Sequence, residues 1–311
     1  MQKEIAPPMP LTQAKVVGTD YDGQRLDNYL AREMKGAPRR LIYRIIRTGQ
    51  VRINSRRAEH CTRLQTGDVL RIPDNIRTYF STAQAAPLAL PVLFEDGALL
   101  AVNKPSGLAV HGGSGLSHGV IERLRATHSG RFLELVHRID KGTSGVLLLA
   151  KKNSALRSLH AAWRARQVKK RYNLMVFGQW QPQAATITLA IKRTAGDIGS
   201  RVADDGREAI TRTSLLRQYS NAALLQADIS TGRTHQLRVH LAAVGLPIIG
   251  DDKYGDFAAN RQIKKKFARL YLHASELSFC HPLTSEAVRI CAPCPPDFTH
   301  LQNQLKKREF N

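Results

Sequence analysis

The chain has 311 residues, and its 47 Lys and Arg against 25 Asp and Glu give a formal charge of +22 and a pI near 10.3. A hydrophobic content of 42% is typical of a globular protein with a sizeable core, and the excess of basic residues predicts a polyanionic partner. No apolar run reaches the length of a membrane span, and no basic start precedes an apolar stretch with a cleavage site, so we expect a cytoplasmic protein that binds no membrane.

The N-terminal part of the chain divides into a tail and a small α/β unit. Residues 1–18 begin with a proline-rich stretch without periodicity, which predicts a flexible tail. Within residues 19–73, a second helix is expected to begin near Pro38 and to end at Gly49. Short strands are expected near Val51 and Val69. The first helix of this unit has one apolar face, made by Leu26, Tyr29, Leu30 and Met34.

A basic face is predicted on the second of these helices. Arg40, Arg44 and Arg47 recur at helical spacing, and the segment from Arg25 to Arg71 has 12 Lys and Arg against 4 Asp and Glu, a net charge of +8. A solvated surface would explain such residues, but their order on one side favours phosphate contacts. The run QRLDNYLAREMKGAPRRLIYRIIRTGQVRIN resembles the RNA-binding domain named after ribosomal protein S-four, which implies binding of double-stranded or structured RNA.

A second domain is expected after a polar linker at residues 74–90. Residues 91–311 alternate short strands with turns and a few helices, and the strands outnumber the helices without alternating regularly with them. We therefore predict an α+β protein: the small α/β unit, then a mixed, largely antiparallel β-sheet domain with flanking helices and a central cleft.

One short run of residues indicates a catalytic carboxylate. Asp140, in HRIDKGTSG, lies on a glycine-rich turn between two apolar strands, a position that lifts a carboxylate into a cleft. An ionised carboxylate can attack an electron-poor carbon and later leave again, without any cofactor. A nearby arginine would keep it ionised and fixed.

Two further motifs supply partners for this acid. In STGRTHQLRVHL, Thr234 is expected to cap a helix, and Arg238 lies one turn in, where it can point at the cleft. In KKRYNLMV, Tyr172 shares a strand face with apolar residues, so its ring is shielded while its hydroxyl can reach a site. Each residue alone has an ordinary structural explanation; the combination points to a site.

The order and spacing of five segments resemble the RluA-type pseudouridine synthases: NKPSGLAVHGGSGLSHGVIERLRA, HRIDKGTSGVLLLAKK, KKRYNLMVFG, STGRTHQLRVHLAAVGLPIIGDDKYG and LYLHASELSFCHP. That family isomerises uridine in RNA without a metal or a cofactor. The resemblance therefore implies a catalytic domain that acts on RNA. With the N-terminal unit included, it implies large-subunit ribosomal RNA as the substrate. We expect a monomer.

The resemblance also implies roles for individual residues. Asp140 matches the nucleophile, Arg238 the arginine that pairs with it, and Tyr172 the aromatic residue that stacks on the target base and helps to move a proton. Arg138 matches the arginine that holds the flipped nucleotide; base flipping itself accounts for a basic cleft with an aromatic wall. The remaining RNA contacts are expected from His111, at the start of a glycine-rich loop, and from Arg233. The chain departs from the family, which usually has Leu, Arg and Asp, at Ile139, Lys141 and Gly142.

Several alternatives are weaker. Cys291 and Cys294 form an isolated C-A-P-C pair without the second ligand pair that zinc requires. Asp251 and Asp252 suggest a metal, but the glycines beside them favour a turn. Glu134 with Asp140 suggests a glycosidase pair, without other support. A non-catalytic RNA-binding or ribosome-assembly factor, or an RNA methyltransferase, would share the N-terminal unit; the methyltransferase would need a glycine-rich cofactor loop that the sequence lacks.

Overall fold

The computed structural model describes residues 12–34, 37–73, 86–112, 118–128, 132–194, 199–262 and 269–309. The chain forms two compact units that divide between Ala86 and Pro87. Most of the expected linker, residues 74–85, lies outside the described residues. No helix in the described ranges is long and apolar enough to span a membrane.

The first unit packs two helices on a small antiparallel sheet. The helices are α1 (Leu26–Glu33) and α2 (Arg39–Arg47), and the four strands, in the order β1-β4-β2-β3, are β1 (Thr12–Val16), β2 (Arg52–Ile53), β3 (Arg56–Arg57) and β4 (Val69–Pro73). The predicted apolar face of α1 is buried in this core together with Ile42, Ile45 and Ile46 of α2.

Part of the expected tail is ordered. Residues 1–11 lie outside the described residues, but Thr12–Val16 pairs with Val69–Pro73 in antiparallel register, so the prediction of a tail through residue 18 is wrong there. The segment has little periodicity of its own, and the backbone of β4 supplies the hydrogen bonds that make it a strand.

Helix α2 confirms the predicted local signals. Pro38 precedes its first turn, and Gly49, two residues beyond its end, has φ +71°, the left-handed conformation that ends helices. The apolar stripe faces the core, and Arg40, Arg44 and Arg47 are all exposed.

The second unit is built on one large sheet that runs β10-β13-β14-β9-β15-β8-β6-β5, with β16 paired to β15 and β7 to β8. Its strands are β5 (Val92–Glu95), β6 (Leu99–Lys104), β7 (Glu134–Leu135), β8 (Ser144–Ala150), β9 (Lys169–Phe177), β10 (Thr186–Thr188), β13 (Ile210–Gln218), β14 (Ala222–Ile229), β15 (Leu272–Cys280) and β16 (Ala287–Cys291). A separate hairpin joins β11 (Ile191–Arg193) to β12 (Ser200–Val202). Every pair of strands in the large sheet is antiparallel except β15 with β8, which confirms the predicted mixed, largely antiparallel fold.

Helices cover both faces of this sheet. They are α3 (Val120–Thr127), α4 (Asn153–Arg164), α5 (Gln236–Ala243), α6 (Phe257–Arg261) and α7 (Pro296–Glu309). Leu174 of β9 packs in a core cluster with Leu237 and Leu241 of α5, whereas the next residue, Met175, packs with Phe298 of α7. Because side chains alternate along a strand, α5 and α7 lie on opposite faces.

The start of α5 differs from the prediction. Thr234 does not cap this helix; the N-cap residue is His235, whose φ of +55° is left-handed and whose side chain makes no cap hydrogen bond. The turn before the helix is instead closed by Gln236, whose side-chain oxygen accepts the backbone N–H of Arg233 and the hydroxyl of Thr231.

Candidate active site

Asp140 lies on the turn between β7 and β8, as predicted. Its backbone oxygen accepts the N–H of Thr143 at 3.1 Å, which closes the turn, and its side chain is 29% exposed. The strand that follows is buried along its whole length, so the turn has a fixed base. A partly exposed carboxylate is thereby held at the edge of a rigid sheet.

The end of β6 and the residues after it hold this turn in place. The ammonium group of Lys104 is fully buried and donates to the backbone oxygens of Pro105 and Leu108, both at 2.8 Å, and of Lys141 at 3.1 Å. Ser106 adds a bond from its hydroxyl to the oxygen of Gly142 at 2.6 Å. Burial lowers the pKa of Lys104 to about 7; repulsion by Arg269 adds to this effect and the charge of Asp140 opposes it. This lysine belongs to the run NKPSG, in which no local pattern predicts its burial.

Two glycines allow neighbouring backbones to approach the site. Gly145 has φ +111°, and a Cβ atom there would lie 2.1 Å from the backbone oxygen of Ala274 in β15. Gly250 has φ +74°, and its Cβ would lie 1.7 Å from the oxygen of Arg269. Neither position has room for a side chain, so both close contacts depend on glycine.

Arg238 is the buried cation of the site, and its main partner is Asp251. The guanidinium donates to both carboxylate oxygens of Asp251, at 2.8 and 2.7 Å, and to Asp252 at 3.0 Å, while its Nη1 lies 3.6 Å from Oδ2 of Asp140. Burial works against the charge of Arg238, but the bonds and charge of Asp251, together with the charges of Asp140 and Asp252, outweigh burial and raise the pKa of Arg238. The expected pairing with Asp140 is therefore an ion pair of a residue that is anchored elsewhere.

Asp251 confirms the turn expected at this position, and it does more than form the turn. Its carboxylate is fully buried and accepts the backbone N–H groups of Lys253 and Tyr254, both at 2.9 Å, besides the two bonds from Arg238. No local pattern predicts this pairing, because Arg238 and Asp251 are 13 residues apart and only the fold brings them together.

His235 is a second neighbour of Asp140 that the sequence analysis missed. Its Nε2 lies 3.9 Å from Oδ2 of Asp140, and its Nδ1 lies 2.9 Å from the hydroxyl of Tyr254. That hydroxyl oxygen also accepts the N–H of Ser200 at 2.8 Å. In the tautomer with its proton on Nε2, the ring accepts the Tyr254 hydroxyl at Nδ1 and directs an N–H toward Asp140. Burial lowers the pKa of His235, although the charge of Asp140 opposes this effect. The lowered pKa keeps the ring neutral at pH 7.

Tyr172 enters the same cavity from β9. Its partly buried ring packs against the two core clusters that meet here, one around α5 and one around α3. Burial, and then the negative charge of Asp140, raise the pKa of the phenol. The side chain therefore presents an aromatic face and a hydroxyl that keeps its proton.

Two cavities meet at Asp140. One, of about 650 Å³, extends along β9 and α4, and the other, of about 1300 Å³, extends past Gly107 and Arg269. Both are lined by Arg138 and Arg233, and His111 lines only the larger one. The lining of the smaller cavity includes one carboxylate, that of Asp140, and six basic side chains: Arg138, Arg164, Arg166, Lys170, Arg233 and Arg238. Such a lining suits a polyanion that brings an uncharged group to one acid.

The structure thus gathers Asp140, Tyr172, Arg238, Arg138 and Arg233 around one space, with His111 in the adjoining one. The predicted arginines of α2 belong to the first unit. The glycosidase alternative loses its second acid, because Glu134 pairs with Arg125 at 2.7 Å and does not line either cavity.

Comparison with known proteins follows this division into units. Residues 98–243 match the family model for RNA pseudouridylate synthase, and residues 24–70 match the model for the S4 domain. Among solved structures, the human RNA pseudouridylate synthase domain containing 4 is 27% identical, with a TM-score of 0.57 over 69% of this chain and 92% of that chain.

Curated relatives match almost the whole length. Ribosomal large subunit pseudouridine synthase C of Haemophilus influenzae is 46% identical, covering 94% of this chain and 94% of the relative. The proteins of the same name from Pasteurella multocida and Escherichia coli are both 44% identical, covering 94% and 91% of this chain and 94% and 93% of the relatives. With relatives this similar over more than nine-tenths of its length, the chain belongs to the RNA pseudouridylate synthase family and is an RNA pseudouridine synthase, an isomerase.

Proposed function

We propose that the protein isomerises specific uridines to pseudouridine in large-subunit ribosomal RNA, with Asp140 as the nucleophile. The names of the relatives support this class of RNA. The observation that carries the assignment of the nucleophile is the position of Asp140. Its carboxylate is the one acid in the lining of a cavity with six basic side chains, and the turn that bears it is fixed to the sheet.

The reaction moves one bond within the nucleotide. The bond between N1 of uracil and C1′ of the ribose breaks, and a bond between C5 and C1′ forms. C5 loses its proton and N1 gains one, so atoms and electrons balance without an oxidant, a reductant or a cofactor. A carboxylate that adds to an electron-poor carbon and then leaves again can hold the fragment that would otherwise dissociate.

Arg238 and His235 prepare the carboxylate for this role. The cation 3.6 Å from Asp140 attracts its carboxylate, and the bidentate bonds of Arg238 to Asp251 fix where that positive charge lies. The neutral imidazole of His235 directs an N–H toward the same oxygen from 3.9 Å, which is outside hydrogen-bonding distance until a substrate draws the groups together.

Tyr172 provides the aromatic surface on which the uracil stacks while it reorients. An aromatic ring partly exposed to the cavity can stack on the flipped uracil, and Arg138, exposed at the rim, can hold the backbone of the flipped nucleotide. Because the pKa of Tyr172 is raised, its hydroxyl is protonated at neutral pH and acts as a hydrogen-bond donor. The phenolate form, which could act as a base, is not populated at this pH.

The first unit binds structured RNA in this proposal. Arg40, Arg44 and Arg47 are exposed on one side of α2, whose opposite side is buried. Phosphate contacts from such a face are insensitive to sequence and place the RNA on the protein, while the catalytic cavity selects the uridine.

The test is tritium release from RNA that carries uridine labelled at C5, with chemical mapping of pseudouridine in large-subunit RNA from cells with and without the gene. Asp140→Asn should abolish release while it leaves RNA affinity within about twofold, because the acid does chemistry and contributes little to binding. Asp204→Asn, which removes an exposed acid in a turn, is the matched control and should turn over normally. Turnover by Asp140→Asn would remove the nucleophile assignment, and RNA binding with no modified uridine in any sample would favour an assembly factor.

A further inference from the structure

Lys170 lines the smaller cavity, where no described residue pairs with its side chain. The residue is only 8% exposed, and no hydrogen bond or ion pair among the described residues involves its ammonium group. It lies on β9 two residues before Tyr172, so the two side chains project from the same face of the strand, about 6.6 Å apart along it. Both line the smaller cavity beside Asp140.

A charge on a largely buried side chain is unfavourable when no described residue supplies a counter-charge. Burial, and then repulsion by Arg166, lower the pKa of Lys170. Its neighbour His137 is affected too: burial and then the charge of Lys170 lower the pKa of that histidine to about 4. The nearest basic groups therefore repel Lys170. An anion that entered the cavity would offset the unfavourable free energy of this unpaired charge.

The surroundings of Lys170 fit one nucleotide step of RNA. The ring of Trp163 stacks on His137 with centroids 5.0 Å apart and, with His160, forms an aromatic wall of the same cavity. Tyr172, the proposed stacking surface for the target base, lies two residues from Lys170 on the same strand face and lines the same cavity. The cavity therefore combines a cation with aromatic residues from α4 and from β9, the groups that contact the phosphate and the unstacked bases of a single strand.

We propose that Lys170 binds the phosphodiester group next to the target uridine, so that the cavity along α4 is a subsite for the neighbouring nucleotide. This inference rests on the proposed function of the site, and it adds a contact within the cavity that holds the substrate in register with Asp140. Lys170 is a binding residue in this scheme and takes no part in bond making.

The first experiment measures binding of short oligouridylate as a function of salt, with Lys170→Met and, as a second variant, Lys170→Gln. Loss of one phosphate contact to a single strand should reduce the slope of log K against log salt by about 0.7. Lys169→Met is the matched control: it removes the same charge from the adjacent residue, which is exposed and projects from the opposite face of the strand. The control should keep the wild-type slope. A slope unchanged in both Lys170 variants, or changed equally in Lys169→Met, overturns the proposal.

The second experiment locates the phosphate. In a large-subunit RNA fragment around a mapped uridine, a neutral methylphosphonate replaces the link on either side of that uridine, one at a time. One replacement should weaken binding to the wild-type protein by about tenfold, as expected for a buried charge-assisted hydrogen bond. The same replacement should change binding to Lys170→Met by less than about twofold. Equal effects in both proteins would mean that Lys170 does not contact that phosphate, and would overturn the proposal.

Thermal unfolding separates this role from a structural one. Replacing a buried, unpaired cation with an apolar side chain should raise the unfolding temperature while RNA binding weakens. A lower unfolding temperature in both Lys170 variants would show that the lysine supports the fold and would count against the subsite. Because binding is measured without turnover, failure of the proposed isomerisation and failure of this subsite give different results.

Discussion

Removal of the charge of Asp251 should destabilise the protein far more than removal of the charge beside it. Asp251→Asn keeps the shape of the side chain and one oxygen for the N–H groups of Lys253 and Tyr254. It turns the second oxygen, which accepts Nε of Arg238 at 2.8 Å, into an amide that cannot accept that bond. The buried guanidinium then keeps its bond to the other oxygen, at 2.7 Å, but loses the bond from Nε and the negative charge opposite it.

The structure sets the size of the loss. Breaking a buried ion pair from one side costs about 3–5 kcal/mol. The lower end, about 3 kcal/mol, applies here because Asp252 at 3.0 Å and Asp140 at 3.6 Å remain near the guanidinium. The matched control is Asp252→Asn, whose side chain is 94% exposed and should contribute almost nothing to the free energy of unfolding.

Urea denaturation at pH 7 measures both free energies of unfolding. The difference should also depend on pH. Burial raises the pKa of Asp251, but the bonds and charge of Arg238, together with the backbone N–H groups of Tyr254 and Lys253, outweigh burial and hold the pKa below the usual 3.8. Its stabilising effect is thus fully present above pH 4 and is lost as the pH falls through the lowered pKa, so the two variants should converge in acid. Equal stability of the two variants at pH 7 would refute the anchoring of Arg238 by Asp251.

Two further predictions concern the sheet and the first unit. Gly145→Ala should cost more than about 3 kcal/mol of unfolding free energy, because its Cβ would meet the backbone of β15, whereas Gly245→Ala, also at positive φ but with open space around it, should cost about 1–2 kcal/mol; similar losses would contradict the close contact. Replacing Arg40, Arg44 and Arg47 together with Gln should reduce the salt dependence of log K for structured RNA by about 2 to 3, and an unchanged slope would rule out phosphate contacts from this face of α2.

Several helices and turns of this protein can be predicted from the sequence alone, because they depend on local interactions. The helices of the first unit follow from apolar spacing, and the end of α2 follows from Gly49, because each signal acts within one or two turns. The turn that carries Asp140 was predictable for the same reason: glycine and polar residues interrupt two apolar runs. The family motifs then named the acid, the aromatic residue and the arginine as members of one site.

Long-range packing decided how these residues meet. Arg238 was expected to pair with Asp140, but its main bonds go to Asp251, 13 residues away in sequence, in a turn whose charge is fully buried only after folding. The left-handed backbone of His235, which sets the ring beside Asp140, replaced the expected cap at Thr234 because contacts of the folded chain outweigh the local preference.

The same limit explains the remaining differences. The residues of β1 have no strand signal strong enough to stand alone, and β4 supplies their hydrogen bonds. In the sequence, Lys170 is one of several consecutive basic residues. Only the folded structure shows that it is buried in a cavity without a partner among the described residues, while its neighbour Lys169 is exposed. Sequence spacing fixes which side of a strand a residue takes, but burial and charge depend on the other strands and helices that the fold brings to that side.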